Sequence, residues 1–321
     1  MTQLIVAGAD RSAPAAPATA ADLAARIALP VKLPERHDGE PLRHLSPSSY
    51  SLWVSCPEAW RRRYIKGEKP PPSGSMFLGS RVDDALSAYH RRILEHGDRL
   101  ALGQLLDLYR EMWQAELDAE REKRGIDWHE DLPERAAFEL GRQAIELAMA
   151  ELVPHLGEPV EVQRRLEFTL APGLEWTVLC YLDLETVKPQ AGGDPIHAVV
   201  DFKVKGSPIG QDQADSDPQA GLYLAGRWLE GRPAKGLLFA QIAKPGKRRK
   251  QMSASLIGTT RTAGQLRGVL ARVALAASQI AAAYERYGPD RAWGFADPTG
   301  WKCSPRWCSH WRHCPGGAGL H

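Results

Sequence analysis

The spacing of apolar residues changes near residue 159, and this change restricts the fold more than any other feature of the chain. Before it, apolar side chains recur every three or four positions, as in Val82, Leu86, Tyr89 and Ile93, which is the period of a helix that packs on one face. After it, three segments alternate apolar and polar residues between Gly- or Pro-containing turns, as strands do. These segments are VEVQRRLEFTL, WTVLCYLDLE and HAVVDFKVK.

Helices and strands alternate again in the remainder of the chain. A helix is predicted over 217–230, two further strands in GLLFAQIAK and QMSASLIG, and a last long helix around Val269 and Ile280. The pattern predicts the α/β class, with a small mixed central sheet inside a mostly helical shell.

The chain is predicted to divide into four regions. Residues 1–43 are rich in Ala, Pro and charge and are expected to form a disordered tail. Residues 44–156 are predicted to be helical, beginning at a helix capped by Ser46. The sheet is assigned to 157–292, and 293–321 form a short tail rich in Cys and aromatic residues.

The composition is that of an ordinary soluble globular protein, with 43% hydrophobic and 25% charged residues. No uninterrupted apolar stretch approaches the roughly 20 residues that span a bilayer, and the N-terminal residues lack the pattern of a signal peptide. We therefore expect a cytoplasmic protein with no membrane partner. The formal net charge of +2 excludes no partner, because a nucleic-acid enzyme can gather its basic residues on one face.

Two predicted strands place charged side chains opposite their apolar faces. In WTVLCYLDLE this side chain is Asp183, and in HAVVDFKVK the side chains are Asp201 and Lys203. If the strands are neighbours, two carboxylates and an ammonium group converge. Such carboxylates suit Mg²⁺ or Mn²⁺, and the lysine can hold an attacking water. Taken alone, the Asp-x-Lys pair is equally compatible with an exposed strand face that has no chemistry.

The order of these residues resembles the RecB-like branch of the PD-(D/E)XK nucleases. Proteins of that branch carry an Asp near one strand end and (D/E)-x-K on the next strand, and here these are Asp183 and Asp201-Phe202-Lys203. The resemblance covers residues 45–315 and implies a restriction-endonuclease-like core. It also implies catalytic roles for Asp183, Asp201 and Lys203.

Two further motifs of this branch have counterparts in the chain. A Gln-x-x-x-Tyr helix that contacts DNA follows the catalytic strand in the branch, and here it matches Gln219 and Tyr223. A Gly-x-x-hydrophobic-His turn supplies a metal-binding His, and here the stretch that starts at Gly79 has Asp83 in place of the His. The metal ligands that the resemblance implies are Asp83, Asp183, Asp201 and the Phe202 carbonyl.

Cysteines occur in a pattern that favours metal binding. Cys303, Cys308 and Cys314 lie together, Cys56 lies far upstream, and Cys180 is expected on an apolar strand face. Four thiolates can hold a 4Fe–4S cluster or one zinc ion, and ligand count does not separate the two. One upstream and three downstream cysteines are similar to those of cluster-bearing nucleases, including CRISPR-adaptation exonucleases and phage-encoded relatives. This resemblance implies a 4Fe–4S cluster, with Zn²⁺ as the alternative.

Three functions remain open at this point. The first is an Mg- or Mn-dependent exonuclease that acts on single-stranded DNA or duplex ends, in recombination, repair or phage DNA processing. Its partner would be a helicase or recombination protein, because the chain has no GxxxxGK[ST] motif. The second is an inactive DNA-binding module of a helicase–nuclease complex, and the third is a zinc-stapled structural adaptor. Basic runs at 61–69 and 244–250 are candidate phosphate contacts.

Overall fold

The computed structural model describes residues 27–128, 132–190, 194–246 and 249–317. Its backbone divides into two compact units. The sheet unit consists of Pro71–Leu166 and Tyr181–Arg261, and the tail unit consists of the described residues 27–70, 167–180 and 262–317. Each unit gathers segments that are distant in sequence.

The regular elements occur in the predicted order. The helices are α1 (Pro47–Ser55), α2 (Pro57–Tyr64), α3 (Gly74–His96), α4 (Leu102–Lys123), α5 (Glu134–Glu151), α6 (Gln211–Ser216), α7 (Pro218–Leu229) and α8 (Ala263–Tyr287). The strands are β1 (His44–Leu45), β2 (Glu158–Phe168), β3 (Thr177–Lys188), β4 (Ile196–Lys205), β5 (Gly236–Ala243) and β6 (Ser253–Thr259). Short 3₁₀ turns cover Val153–His155 and Trp311–His313.

The sheet is mixed, as predicted. In the sheet unit β3 pairs antiparallel with β4, β4 parallel with β5, and β5 antiparallel with β6, while β2 also pairs with β3. A parallel pair needs a crossover connection, and α6 with α7 provides it between β4 and β5. Helices and a mixed sheet confirm the predicted α/β class.

Helices α3, α4 and α5 form the core of the sheet unit together with one face of the sheet. On α3, Phe77, Leu78 and Val82 are buried at helical spacing. Because alternate residues of a strand face opposite sides, the strand neighbours of the core residues point away from these helices. The sheet residues that enter this core are Leu184, Val200, Phe202, Ala240 and Ile242.

Part of the predicted disordered tail is ordered. Residues 27–43 contribute to the tail unit, where Leu33 is 2% exposed and the carbonyl of Pro30 accepts a hydrogen bond from Trp176 Nε1 at 2.9 Å. These few apolar and backbone contacts are with residues more than a hundred positions away, so the polar local composition does not reveal them. Residues 1–26 lie outside the described residues.

Side-chain caps fix the starts of α1 and α2. Ser46 Oγ accepts a hydrogen bond from the backbone N–H of Ser49 at 3.1 Å, with Pro47 at the first helical position, as predicted. Cys56 caps α2 in the same way, and its Sγ accepts from the N–H of Ala59 at 3.4 Å. The sulfur therefore lies at the N-terminus of α2 and accepts a hydrogen bond from one of its free backbone N–H groups.

A buried carboxylate joins α2 to the segment that follows α8. Glu58 is 1% exposed and accepts hydrogen bonds from Arg61 Nη2 at 2.7 Å, Arg62 Nε at 2.9 Å and the backbone N–H of Trp293 at 2.9 Å. Arg61 is itself 5% exposed. The predicted phosphate contact is therefore wrong for Arg61, because its guanidinium is committed to Glu58.

Stacked indole rings reinforce this junction. The ring of Trp293 stacks on Trp60 with centroids 5.8 Å apart and meets Trp53 edge-on at 6.0 Å. Aromatic pairs in these geometries stabilise a fold beyond the area that they bury. The polar and aromatic contacts together hold the chain from residue 293 onward beside the helix that Cys56 caps.

Among the described residues, α8 is long and apolar enough to cross a membrane if only length and composition are considered. A core helix of a soluble protein passes the same test. Val269, Val273 and Ile280 of α8 are buried within the protein, which is the behaviour of such a core helix.

We predict that Glu58→Gln lowers the free energy of unfolding by about 3 kcal/mol at pH 7, because it leaves the Arg61 cation buried without its counter-charge. Urea unfolding followed by tryptophan fluorescence measures this change. Burial opposes ionisation of Glu58, but the hydrogen bonds from Arg61 and Trp293 outweigh it and lower its pKa. A lowered pKa stabilises the fold above the unfolded value and loses that effect as pH falls through the folded value. The difference between wild type and variant should therefore shrink in acid.

The matched control is Glu68→Gln, because Glu68 also binds Arg62, at 3.1 Å, but its side chain is 39% exposed. Exposed pairs contribute little to stability, so this variant should unfold like wild type. Equal unfolding midpoints for the Glu58 and Glu68 variants would contradict the assignment.

Candidate active site

The pairing of β3 with β4 brings the two predicted acids together. Leu184 pairs with Val200, so Asp183 and Asp201 occupy the adjacent positions on the opposite face. Asp183 Oδ2 accepts a hydrogen bond from the backbone N–H of Phe202 at 3.0 Å. The prediction that these strands are neighbours is confirmed.

Helix α7 covers Asp201 completely. Gln219 Nε2 donates to Asp201 Oδ1 at 3.0 Å, and Lys203 Nζ donates to the same oxygen at 2.8 Å and to Gln219 Oε1 at 3.4 Å. Gln219 also donates to the Tyr223 hydroxyl at 2.6 Å. Asp201 is 0% exposed, which excludes the exposed strand face as an explanation of the Asp-x-Lys pair.

Gln219 and Tyr223, the two predicted DNA contacts, are members of this hydrogen-bond chain. Tyr223 is 4% exposed, so most of its ring contributes to packing. The amide of Gln219 joins the acid to the lysine. A DNA contact by either residue stays a prediction.

A network of ion pairs among four buried or half-buried side chains holds α7 against β3. Glu185 is on the same face of β3 as Asp183 and pairs with Arg164 at 3.1 Å and Arg227 at 3.2 Å. Both arginines also pair with Glu230, at 2.8 Å and 3.4 Å. Arg227 follows Gln219 by two helical turns on α7, so this network fixes the helix that holds the Gln219 amide over Asp201.

A third acid reaches the site from α3. Burial, together with the charges of Asp84 and Asp201, raises the pKa of Asp83 to about 7. Burial likewise raises the pKa of Asp183, and the Asp201 and Asp83 charges add to the effect. Asp83 is therefore an acidic group within electrostatic range of the other two, and its role as a metal ligand stays a prediction.

Gln163 on β2 is a site residue that sequence reasoning missed. Its φ is +50°, and it is the non-glycine residue with positive φ among the described residues. Its Nε2 donates to Asp83 Oδ2 at 3.0 Å and to Ser87 Oγ at 2.9 Å. A left-handed glutamine is strained, and here the unusual backbone aims the amide at an acid. A polar residue within a strand pattern carries no sequence signal for such a role.

Lys203 stays protonated in this environment. Burial disfavours its charge, but the Asp201 and Asp183 carboxylates outweigh burial and raise the pKa of Lys203. The group is therefore a hydrogen-bond donor and a positive charge, not a base. The Lys203 side chain is 21% exposed while that of Asp201 is fully buried, so a substrate would meet the lysine first.

The donor chemistry fits a hard divalent cation. Asp83 Oδ1 and Asp201 Oδ2 are buried oxygens without hydrogen-bond partners, although Asp201 Oδ2 is 2.6 Å from Lys203 Nζ. One buried and two half-buried carboxylates beside one ammonium leave excess negative charge, which is unfavourable without a cation or added protons. Over the described ranges, no three His, Cys, Asp or Glu side chains are close enough to form a complete metal-binding group. The predicted ligands therefore stay a prediction.

The second basic run makes contacts within the sheet unit. Lys244 Nζ donates to Ser75 Oγ at 2.9 Å, and Arg249 Nη2 donates to the carbonyl of Gly206 at 2.7 Å. Positions 247 and 248 of the run lie outside the described residues. Phosphate contacts by this run stay a prediction.

The four predicted cluster ligands all belong to the tail unit, but among the described residues no three of them form a group that could hold a metal ion, so the cluster stays a prediction. Burial raises the pKa of Cys308, and the charges of Cys56, Cys314 and Cys303 raise it further. Burial and the same neighbours also raise the pKa of Cys303. Cys180 lies elsewhere, on β3, where burial raises its pKa to about 12 and where it is 1% exposed, as predicted.

Comparison with known proteins decides the family. A family model described as the PD-(D/E)XK nuclease superfamily matches residues 44–315. The chain belongs to the PD-(D/E)XK nuclease superfamily. Among solved structures it is similar to a "putative exonuclease" from Eubacterium rectale, at 16% identity and a TM-score of 0.47, over 81% of this chain and 87% of that chain. No curated protein matches it.

Superfamily membership accounts for the features of the sheet unit. A mixed sheet with acids at neighbouring strands is the expected arrangement of a PD-(D/E)XK nuclease core, and such nucleases typically use Mg²⁺ or Mn²⁺. The predicted restriction-endonuclease-like fold is confirmed. The matched segment includes Cys56 and the three downstream cysteines.

We predict that Gln163→Gly separates stability from nuclease activity. Glycine adopts the left-handed conformation without strain, so the melting temperature should stay equal or rise. The Asp83 carboxylate loses its amide partner, so DNA cleavage should fall by roughly 10-fold or more, as when partners of metal ligands are removed. Ser87→Ala is the control, since it removes the other partner of Gln163 and should cleave normally. Cleavage at the wild-type rate by Gln163→Gly would show that Asp83 does not depend on this amide.

Proposed function

We propose that this chain is a metal-dependent deoxyribonuclease of the RecB-like branch that removes nucleotides from DNA ends or single strands. The observation that carries the proposal is the buried Asp201, bonded to both Lys203 and Gln219 and paired across strands with Asp183. The branch assignment is supported by the order of the motifs along the chain and by the hydrogen bonds that join Asp201, Lys203 and Gln219. Exonucleolytic action follows from the resemblance to RecB-like exonucleases.

The residues of the site divide the chemical work. Mg²⁺ or Mn²⁺ bound by Asp83, Asp183, Asp201 and the Phe202 carbonyl would stabilise charge on the phosphoryl oxygens and lower the pKa of the attacking water. Lys203, protonated and partly exposed, donates a hydrogen bond to that water or to a phosphate oxygen. Gln219 keeps the ammonium beside Asp201, because its amide bonds to both groups.

We predict that Asp201→Asn and Lys203→Met each reduce cleavage of end-labelled DNA by at least about 100-fold, the usual effect of removing a transition-state contact. DNA binding should persist, because phosphate contacts elsewhere carry affinity. Lys205→Met is the control, since Lys205 lies two residues further along the same face of β4 and is exposed. Undiminished cleavage in excess EDTA, or equal rates for the two lysine variants, would refute the mechanism.

We further propose that Cys56, Cys303, Cys308 and Cys314 bind a 4Fe–4S cluster. The support is the pattern of one upstream and three downstream cysteines, which resembles that of cluster-bearing nucleases, and the place of all four in one unit, with Cys56 Sγ at the start of α2. Zinc sites more often use two short Cys-x₂₋₄-Cys pairs, whereas Cys56 has no close cysteine in the sequence. Closing so long a loop would stabilise the fold by roughly 5 kcal/mol in a loop-entropy model.

We predict that anaerobically purified protein is brown and contains about four iron atoms per chain, the content of this cluster type. Cys303→Ala should bleach the colour and lower the melting temperature. Cys180→Ala is the control and should keep both iron and colour, because that thiol is buried on β3. One zinc and no iron by elemental analysis would replace the cluster with the zinc alternative.

The cellular setting belongs to the same proposal. A helicase or recombination protein would supply unwound DNA, in recombination, repair or phage DNA processing. A cytoplasmic location follows from this substrate. These assignments rest on the resemblance and on the sequence composition.

A further inference from the structure

Two tryptophans on the tail unit are exposed, although tryptophan side chains in folded proteins are usually mostly buried. Trp301 is 64% exposed and Trp307 is 60% exposed, and they are the exposed tryptophans among the described residues. Their rings meet edge-on with centroids 5.5 Å apart. Clustered exposed aromatic surface marks a binding site more often than an ordinary surface does.

Each ring carries its own cation. Lys302 Nζ lies 5.6 Å from the Trp301 ring centroid, and Arg306 Cζ lies 5.2 Å from that of Trp307. From residue 298 onward the sequence contains no Asp or Glu. The patch, defined as residues 301–307, is therefore aromatic and purely basic, which complements a phosphodiester chain with bases to stack.

The patch is held in place before any ligand arrives. Lys302 Nζ donates to Ser55 Oγ at 2.9 Å, Ser304 Oγ donates to the carbonyl of Trp301 at 2.8 Å, and the N–H of Trp307 donates to the carbonyl of Ser304 at 3.1 Å. A preorganised surface loses little conformational entropy on binding. Indole rings can stack on unpaired bases, whereas bases in a duplex are already stacked on each other.

We propose that residues 301–307 bind an unpaired DNA strand, with bases stacked on Trp301 and Trp307 and phosphates near Lys302 and Arg306. This inference deepens the proposed nuclease function by assigning a strand-binding surface outside the catalytic residues. It explains why two large apolar rings are exposed and why each has a cation at its face.

The test measures binding of a fluorescein-labelled oligo-dT of about 12 nucleotides, within the range that single-strand sites cover. The full chain carries Asp201→Asn to prevent cleavage, and anisotropy is recorded with Trp301→Ala, Trp307→Ala and the double variant. Each single variant should weaken binding by about 10-fold, the scale of one stacking contact. Trp301→Phe should recover most of the affinity, because a ring remains.

A matched control exists on α8. Arg286 Cζ lies 5.3 Å from the Tyr287 ring, and Tyr287 is 38% exposed, so this pair repeats the chemistry outside the patch. Tyr287→Ala should bind oligo-dT like the parent. An abasic oligonucleotide of equal length should bind the parent as weakly as oligo-dT binds the double variant, because it keeps the phosphates but lacks bases.

Two results would overturn the inference. One is equal affinity of the parent and the double variant, or of oligo-dT and the abasic strand. The other is a dimer in sedimentation that the double variant abolishes, which would make the patch a contact between copies of this chain. Iron content and the melting temperature show whether the variants fold.

Failure of this inference is distinguishable from failure of the nuclease proposal. The chain with Asp201 restored is assayed for metal-dependent cleavage in parallel. If the chain cleaves DNA and the tryptophan variants bind oligo-dT like the parent, only the proposal of a strand-binding surface is refuted. If binding of oligo-dT depends on its bases but the chain does not cleave DNA, only the nuclease proposal is refuted.

Discussion

The antiparallel register between β3 and β4 is the constraint on which the site depends. Pairing Leu184 with Val200 sends both into the helical core and leaves Asp183 and Asp201 side by side on the other face. A slip of one residue would exchange the two faces of a strand. The apolar core therefore specifies the position of the acids, although no core residue takes part in their chemistry.

Burial raises the pKa of Asp183 and Asp201. A carboxylate that is fully removed from water is unstable unless cations or hydrogen bonds compensate it. The Asp201 carboxylate receives two hydrogen bonds, one from the Lys203 ammonium on β4 and one from the Gln219 amide on α7. The Glu185–Arg227 pair then secures α7, so an ion pair away from the reacting atoms determines whether the amide reaches its acid.

The sequence was sufficient to predict what depends on local periodicity. Alternation placed Asp183, Asp201 and Lys203 on one face, and helical spacing located α3 and α8. The complete burial of Asp201 could not be predicted, because it results from α7 folding back over β4. The same reason explains why Arg61 looked like a surface residue and why Gln163 carried no signal. Each depends on a partner remote in sequence, Arg61 on the carbonyl of Pro289 and Gln163 on Asp83.

The bond between Glu58 and the backbone of Trp293 has a consequence for biosynthesis. The two residues are separated by 235 positions, and ribosomes add about 5–20 residues per second. Glu58 and Arg61 therefore emerge well before the residues around 293 that cover them, while the strands of the sheet unit are completed in between. A nascent chain must keep this ion pair without its final cover for roughly 10 to 50 seconds. The yield of folded protein then depends on how well this early segment is protected during synthesis, as well as on the stability of the finished fold.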